Sequence, residues 1–262
     1  VFSKKFFVVE QKATIGAQIL QPFDTQLFRT HQKVQFSVNM SQLNCSNPQQ
    51  QIKVNVLQNN RWDLLVRNIM PVFIRNNVLE YNGEQDCLFP AGKEYRWADL
   101  RSFRFESDRI ANINKSVQPN EIYLKPDGER TKVNTTFLKD LNGWYFIAST
   151  ENVNPYWQTD YANVHFYYVP EDNKPYIYKD VYITGAFTNG ILNDSTKMTF
   201  NESIGAYEIT KQLKQGYYSY TYLTKDTKGK RMADNDLTDG NFWETENDYT
   251  IFVYYRSFSG RH

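Results

Sequence analysis

The 262-residue sequence lacks the common signatures of catalytic and metal sites. It contains no HExxH, GxSxG, GxGxxG or Walker motif and no CxxC pair. Histidine occurs only three times, at His31, His165 and His262, positions too scattered in the sequence to indicate a ligand set. We therefore predict no metal site and no cofactor.

The sequence also lacks an excess of either charge. It has 30 Lys and Arg against 29 Asp and Glu, a net charge of +1. A chain this close to neutral has no broad field that attracts nucleic acid or anionic lipid, so nucleic-acid binding is not expected. No run approaches the roughly 18 consecutive apolar residues that a spanning helix needs, so no membrane-spanning segment is expected either.

Cysteine is scarce, with one residue at Cys45 and one at Cys87, both in polar, turn-rich surroundings. Such a pair is compatible with a disulfide in an exported protein or with two thiols. The spacing does not decide between them, and Cys45 and Cys87 are kept as a candidate disulfide.

Aromatic residues, in contrast, are abundant. They make up 16% of the chain, with 19 Tyr and 18 Phe, and such side chains favour pleated, half-buried surfaces. Apolar and polar residues alternate in several segments, which gives each segment one apolar face. The clearest sets are Val34, Phe36, Val38 and Met40, then Ile52, Val54 and Val56, then Val164, Phe166 and Tyr168. The sequence predicts an all-β chain of tandem immunoglobulin-like or early-set β-sandwich domains, built from antiparallel sheets.

Residues 169–179, VPEDNKPYIYK, interrupt two alternating segments with two prolines and four charges, and we predict a domain boundary there. Residues 11–170 are expected to form an immunoglobulin-like sandwich and residues 171–262 a smaller early-set-like sandwich. The strands expected in the second sandwich are DVYITGAF, GAYEITKQL, GYYSYTYL and YTIFVYYR. Residues 1–10 read as the last strand of a preceding module, with poorly covered apolar side chains, which indicates a fragment of a longer protein.

The stretch Glu94–Ile110 carries four arginines, four carboxylates and four aromatic residues. If it forms a strand, alternate residues share a face: Arg101, Phe103 and Phe105 on one side, and Ser102, Arg104 and Glu106 on the other. Charges on both faces favour pairing across strands, with a partner-binding surface as the alternative. A glycosidase-like carboxylate pair is the least favoured interpretation, because it needs a defined separation and one apolar environment.

Two further sites are weaker candidates. In ADNDLTDGNFWETEND, alignment of Gly240 with the turn glycine of an EF-hand loop places Asn235, Asp239 and Glu246 at ligand positions, but Leu237 then occupies a required oxygen position. An acidic loop is favoured over a calcium site. His165 alternates with apolar residues and is expected to face solvent or an interface.

Long, unusual strings in this chain resemble one known family. They are RW-x-D-[LI]-R-S, LKQGYY and TEN-x-Y-T-x-x-V-Y-Y-R, together with NNRWD, VFIRNNVLEYN, LNGWYFI, DYANVHFYY and VYITGAFTNG. Over nearly its whole length the chain looks like the plug protein family of the bacterial type IX secretion system. The resemblance implies a periplasmic, non-catalytic protein of several immunoglobulin-like modules, located at the inner face of the outer membrane. It also implies docking on the periplasmic end of the outer-membrane β-barrel translocon, whose channel the plug closes.

Partner binding by such a protein is expected to depend on aromatic and arginine side chains, which supply most interface hot spots. The candidates are Arg96, Trp97 and Arg101 in the central string and Tyr255 and Arg256 near the end of the chain.

The last segment resembles, more weakly, the glycogen-binding modules of the early-set class, through VYITGAFTNG, GAYEI and GYYSYTYL. Those modules stack tryptophan on sugar rings, but Gly190 stands where many of them carry Trp. A carbohydrate-binding module is therefore the alternative function.

Overall fold

The computed structural model describes residues 7–85, 87–133, 140–228 and 232–258. Strands hold 43% of the residues and helices 6%, which confirms the predicted all-β class. Within the described residues, no helix is long and apolar enough to cross a membrane. The chain divides into two compact units that each contain sequence-distant segments.

Unit 1 consists of the described residues up to Gln58, Leu64–Pro90, and the residues from Tyr249 onward. Its strands are β1 (Thr14–Leu20), β2 (His31–Asn39), β3 (Ile52–Gln58), β4 (Val66–Ile69), β5 (Phe73–Arg75), β6 (Val78–Tyr81), β7 (Leu88–Pro90) and β18 (Tyr249–Tyr255). One antiparallel sheet has the order β1-β2-β6-β5, with β7 also paired to β2, and a second has the order β18-β3-β4.

The core of unit 1 lies between these two sheets. The alternating apolar residues of β2 and β3 meet in one buried cluster, with Val38, Val54 and Val56 at 0% exposure. The period-two pattern of the sequence therefore predicted both the strands and the faces that they bury. Of the strand expected at residues 1–10, residues 1–6 lie outside the described residues and residues 7–10 form no strand, with Val8 85% and Val9 80% exposed.

Unit 2 consists of Asn59–Asp63 and Ala91–Asp248. Its strands are β8 (Arg96–Asp99), β9 (Ile110–Asn114), β10 (Asn120–Leu124), β11 (Asp127–Gly128), β12 (Tyr145–Ile147), β13 (Tyr161–Val169), β14 (Lys179–Thr184), β15 (Thr199–Asn201), β16 (Ala206–Lys214) and β17 (Gly216–Asp226). One sheet has the order β15-β16-β13-β10-β9, with β11 on β13, and the other has the order β12-β17-β14, with β8 on β17.

The two sheets of unit 2 share a core in which Val164, Phe166 and Tyr168 of β13 face Tyr220 and Tyr222 of β17, all at 0% exposure. The pairings of β13 with β10 and with β11 are parallel, so the expectation of purely antiparallel sheets is wrong for this sheet.

Helical structure is limited to short connections. The described residues form the α-helical turns α1 (Pro48–Gln51) and α2 (Pro155–Gln158), and 3₁₀ turns at Trp62–Leu64 and Ala186–Thr188. Proline occupies the first position of both α-helical turns, where its missing N–H is not needed.

This division differs from the boundary predicted at residues 169–179. β13, before that point, pairs with β16, beyond it, along eight residues, so both belong to unit 2. The segment YTIFVYYR, expected in the second sandwich, is β18 and pairs with β3 of unit 1. The prolines and charges at 169–179 mark a connection within one unit, because backbone pairing between distant segments decides which residues share a core.

Candidate functional site

The outer face of the β8-β17-β12 sheet carries Trp97 together with aromatic residues that the sequence analysis did not name. On β8, Ala98 faces the core, whereas Trp97 and Asp99 face outward. The register aligns Trp97 with Ser219 and Asp99 with Tyr217 on β17.

On its other side, β17 pairs with β12, where Phe146 lies opposite Tyr217. A side chain at Gly216 would meet the backbone oxygen of Phe146 at 2.4 Å, so glycine is what permits this close approach of the two strands. The register therefore brings residues from three distant parts of the sequence onto one face.

Three rings on this face lie nearly parallel. The centroids of Trp97 and Tyr217 are 6.2 Å apart at an interplanar angle of 16°, and those of Tyr217 and Phe146 are 5.8 Å apart at 9°. Phe146 is 43% exposed, and Trp97 and Tyr217 are half-buried. We call Trp97, Tyr217 and Phe146, together with Asp99 and Arg101, the aromatic face.

Asp99 and Arg101 form the polar border of the aromatic face. Arg101 donates from Nε to Asp99 Oδ1 at 2.9 Å and from Nη2 to Oδ2 at 2.6 Å. Burial raises the pKa of the Asp99 carboxyl, but the hydrogen bonds and charge of Arg101 outweigh burial and lower it. The Arg101 side chain remains 41% exposed, so its guanidinium is held in place and still accessible to a partner.

Arg96 does not belong to this face, and its assignment to partner binding is wrong. It is 7% exposed, and its guanidinium pairs with Asp127 at 3.1 Å and with Asp239 at 2.5 Å. Arg109 also pairs with Asp127, and Arg130 pairs with Asp239 at 2.8 Å. Burial raises the pKa of the Asp239 carboxyl, but Arg96 and Arg130 outweigh burial and hold the pKa at about 2.

The buried carboxylates of Asp127 and Asp239 accept hydrogen bonds from buried hydroxyl groups of β17. Tyr220 and Tyr222 donate to the same oxygen of Asp127, at 2.8 and 2.9 Å, and Thr221 donates to Asp239 at 2.7 Å. Buried hydroxyls need acceptors, and a buried acceptor that is charged needs a counter-charge. Arg96 therefore has a structural role inside unit 2.

A second pair of acidic groups lies at Glu94 and Asp140. Glu94 is 3% exposed, and its Oε1 accepts the N–H of Glu246 at 3.0 Å. Its Oε2 finds no donor among the described residues, and its carboxyl lies within hydrogen-bonding reach of Asp140. Asp140 in turn accepts N–H groups from Tyr95 and from Asn142.

Burial, together with the charges of Asp140 and Glu246, raises the pKa of Glu94 to about 7 against the opposing N–H bond from Glu246. A protonated Glu94 can donate to the Asp140 carboxylate, and the pair then holds one proton between its two carboxyl groups.

The strand predicted through Glu106 ends at Asp99. Beyond it, side chains bind the backbone: Ser102 Oγ accepts the N–H groups of Arg104 and Phe105, and Ser107 Oγ donates to the Asp99 carbonyl. Such local bonds compete with strand pairing. Phe103 consequently turns into the core at 5% exposure, and Phe105 is 75% exposed.

The loop considered as a calcium site has no metal-binding arrangement. Asp239 forms ion pairs with Arg96 and Arg130. In the described part of the chain, no group of three or more His, Cys, Asp or Glu is arranged to hold a metal ion. Asn235 uses its amide to bind the Gly240 carbonyl at 3.0 Å. His165 faces away from the core, stacked 4.4 Å from Tyr123, as predicted for its strand position.

Tyr255 and Arg256 lie in and after β18 of unit 1. Tyr255 packs partly against the core and donates its hydroxyl to the Asn44 carbonyl at 2.7 Å, whereas Arg256 is exposed.

Neither Cys45 nor Cys87 forms a disulfide, so of the two alternatives the structure shows two thiols. Cys87 is buried at 1% exposure, and burial raises the pKa of the Cys45 thiol.

No protein-family model matches this chain, and no curated protein matches it. A solved structure of a hypothetical protein from Parabacteroides merdae is similar, with a TM-score of 0.90 at 31% sequence identity. The match covers 97% of this chain and 63% of that protein, so this chain spans just under two thirds of its length. That protein is described only as hypothetical, and the match therefore supports the fold and carries no function.

Sequence reasoning named Trp97 and Arg101 but missed Tyr217 and Phe146. The signal available was alternation: in GYYSYTYL, Tyr218, Tyr220 and Tyr222 take the inner face, which leaves Tyr217 on the outer one. The neighbours of Tyr217 follow only from the pairing of β17 with β8 and β12.

Proposed function

We propose that this chain is a non-catalytic periplasmic docking module that binds the outer-membrane β-barrel translocon of type IX secretion and closes its periplasmic end. The resemblance of its long sequence strings to the plug family motivates the partner and the location. The aromatic face is the observation that supports protein docking.

The composition of the aromatic face suits a protein interface. Tryptophan, tyrosine and arginine dominate binding hot spots because they bury large areas and keep a polar group at the edge. Arg101 is held by Asp99, so little side-chain entropy is lost when a partner contacts it.

The test is binding of this chain to the purified translocon barrel, measured by interferometry for wild type and variants. Phe146→Ala and Trp97→Ala should each weaken binding by about 1 to 2 kcal/mol or more, which is roughly five- to thirtyfold. Phe23→Ala is the matched control, because Phe23 is an 84% exposed aromatic residue of unit 1. Equal binding by all variants, or complete loss of wild-type binding at physiological salt, would refute the aromatic face as the docking surface.

Carbohydrate binding is the second candidate, and the same row of parallel rings favours it. Flat aromatic rings stack on the apolar faces of sugars. Gly190 stands where many glycogen-binding modules carry tryptophan. Its backbone φ is +63°, a conformation that residues other than glycine rarely adopt, so this position does not suit a tryptophan, and sugar stacking would depend on the aromatic face instead. A glycan array distinguishes the two: a hit that Trp97→Ala abolishes supports the carbohydrate function, and a blank array with retained barrel binding supports docking.

A further inference from the structure

One loop of unit 2 presents its apolar side chains almost completely to solvent. In Asn152–Thr159, NVNPYWQT, no residue is charged. Val153 is 99% exposed, Trp157 85% and Tyr156 73%. Single exposed apolar residues are ordinary, but three within five positions of an uncharged loop form a convex apolar tip. We call Asn152–Thr159 the tryptophan loop.

The polar side chains of the tryptophan loop bind the loop itself. Asn154 accepts the N–H of Tyr156 at 3.1 Å, and the Gln158 side chain accepts the N–H of Asn154 at 2.9 Å. Asn152 donates to the Gln158 carbonyl at 3.0 Å, and Thr159 donates to the Pro155 carbonyl. These bonds hold the α2 turn and satisfy polar groups internally, so moving the tip out of water leaves fewer of them without partners.

Charge enters only at the base of the loop and nearly cancels. Lys214 donates to the Tyr156 carbonyl at 2.8 Å and lies 5.8 Å from the centroid of the Tyr161 ring. Asp160, which follows the loop, is exposed. Glu151, which precedes the loop, lies 3.9 Å from Arg104, so two cations beside two anions give no field that would select anionic lipids.

We propose that the tryptophan loop inserts into the interfacial region of a lipid bilayer. Tryptophan and tyrosine favour this region because their rings sit among the upper acyl chains while the N–H and O–H groups reach the headgroups. A bilayer also accommodates a convex tip without a matching pocket, which a protein partner would have to supply. This inference is independent of the docking function, because it uses none of the residues of the aromatic face.

The test is partitioning of the wild-type chain onto vesicles of phosphatidylcholine, followed by flotation and by tryptophan emission. Wild type is expected to float with the vesicles and shift its emission to shorter wavelength, with the Trp157 contribution obtained by difference from Trp157→Phe. Trp157→Ala should lower the partition coefficient roughly tenfold or more, since a large apolar side chain is lost from the inserted tip. Val153→Asp should abolish flotation, because it places a charge at the most exposed apolar residue of the tip.

Phe23→Ala is the matched control, with a lost aromatic residue of equal exposure outside the loop, and it should partition like wild type. Raising the salt concentration or adding one third phosphatidylglycerol should change little. Absence of flotation, unchanged partitioning of Trp157→Ala, or loss of binding in salt would overturn the proposal. If Trp157→Ala weakened binding to the barrel while no chain bound vesicles, the loop would be a protein contact and the lipid proposal would be wrong.

Discussion

Replacing Glu94 with glutamine should stabilise unit 2, and more so as the pH rises. The folded protein favours a protonated Glu94, whose pKa moves from its ordinary 4.5 to about 7 through burial and the neighbouring charges of Asp140 and Glu246. Above pH 7 the folded state must hold an ionised Glu94 beside Asp140, whereas the unfolded state ionises it at no cost. The substituted glutamine side chain keeps an acceptor for the Glu246 N–H and a donor toward Asp140, and it never ionises.

The magnitude follows from linkage between proton binding and folding. A folded pKa above the unfolded one means that stability is fully present below about pH 4.5 and is lost as the pH rises toward 7. At about 1.4 kcal/mol per pKa unit, the full loss is roughly 3 kcal/mol, reached by pH 8, with less than about 1 kcal/mol lost at pH 5. The advantage of Glu94→Gln over wild type should therefore grow by about 2 kcal/mol between pH 5 and pH 8.

The assay is urea unfolding at pH 5 and pH 8, followed by tryptophan fluorescence. Unit 2 contains all five tryptophans of the chain, so this signal reports the unit that carries the substitution; they are Trp62, Trp97, Trp144, Trp157 and Trp243. Glu106→Gln serves as the control, because Glu106 is exposed, and it should differ from wild type by no more than about 0.5 kcal/mol at either pH. A Glu94→Gln advantage that is equal at both pH values, or a loss of stability at pH 8, would refute the shared-proton pair.

Three further outcomes are expected. Arg96→Ala should destabilise unit 2 by about 3 to 5 kcal/mol, because it leaves two buried carboxylates short of counter-charge. Arg101→Ala should cost about 1 kcal/mol or less, because its pair with Asp99 is partly exposed. Similar losses for the two variants in urea unfolding would contradict a structural role for Arg96 and a surface role for Arg101. Thiol titration of unreduced, unfolded protein should count two thiols per chain, and a count of zero would show a disulfide. Far-ultraviolet circular dichroism should show a helix content well below one third, and a value above that would contradict the all-β fold.

Much of the fold could be predicted because strand alternation is local. The faces of β2, β3 and β13 follow directly from period two, and their apolar residues are buried as expected. The grouping of strands could not be predicted, because β18 pairs with a strand nearly two hundred residues away and no local signal encodes that choice.

In the candidate site, too, local features could be predicted from the sequence and long-range contacts could not. RW-x-D places Trp97 and Asp99 on one face of a strand, which alternation predicts. The burial of Arg96 depends on Asp239, 143 residues away, and the completion of the aromatic face depends on Tyr217 and Phe146, which only sheet pairing brings to Trp97. A charged string alone therefore did not distinguish a buried ion pair from an exposed contact.

The docking function is tested most directly by affinity purification from the native cell envelope, with tagged full-length protein in wild-type form and with Trp97 and Phe146 both replaced by alanine. The outer-membrane β-barrel translocon should co-purify with wild type and be strongly depleted with the double variant, while both proteins are recovered in equal amounts. Absence of the barrel from the wild-type sample, or equal recovery of the barrel with the two proteins, would contradict docking through the aromatic face.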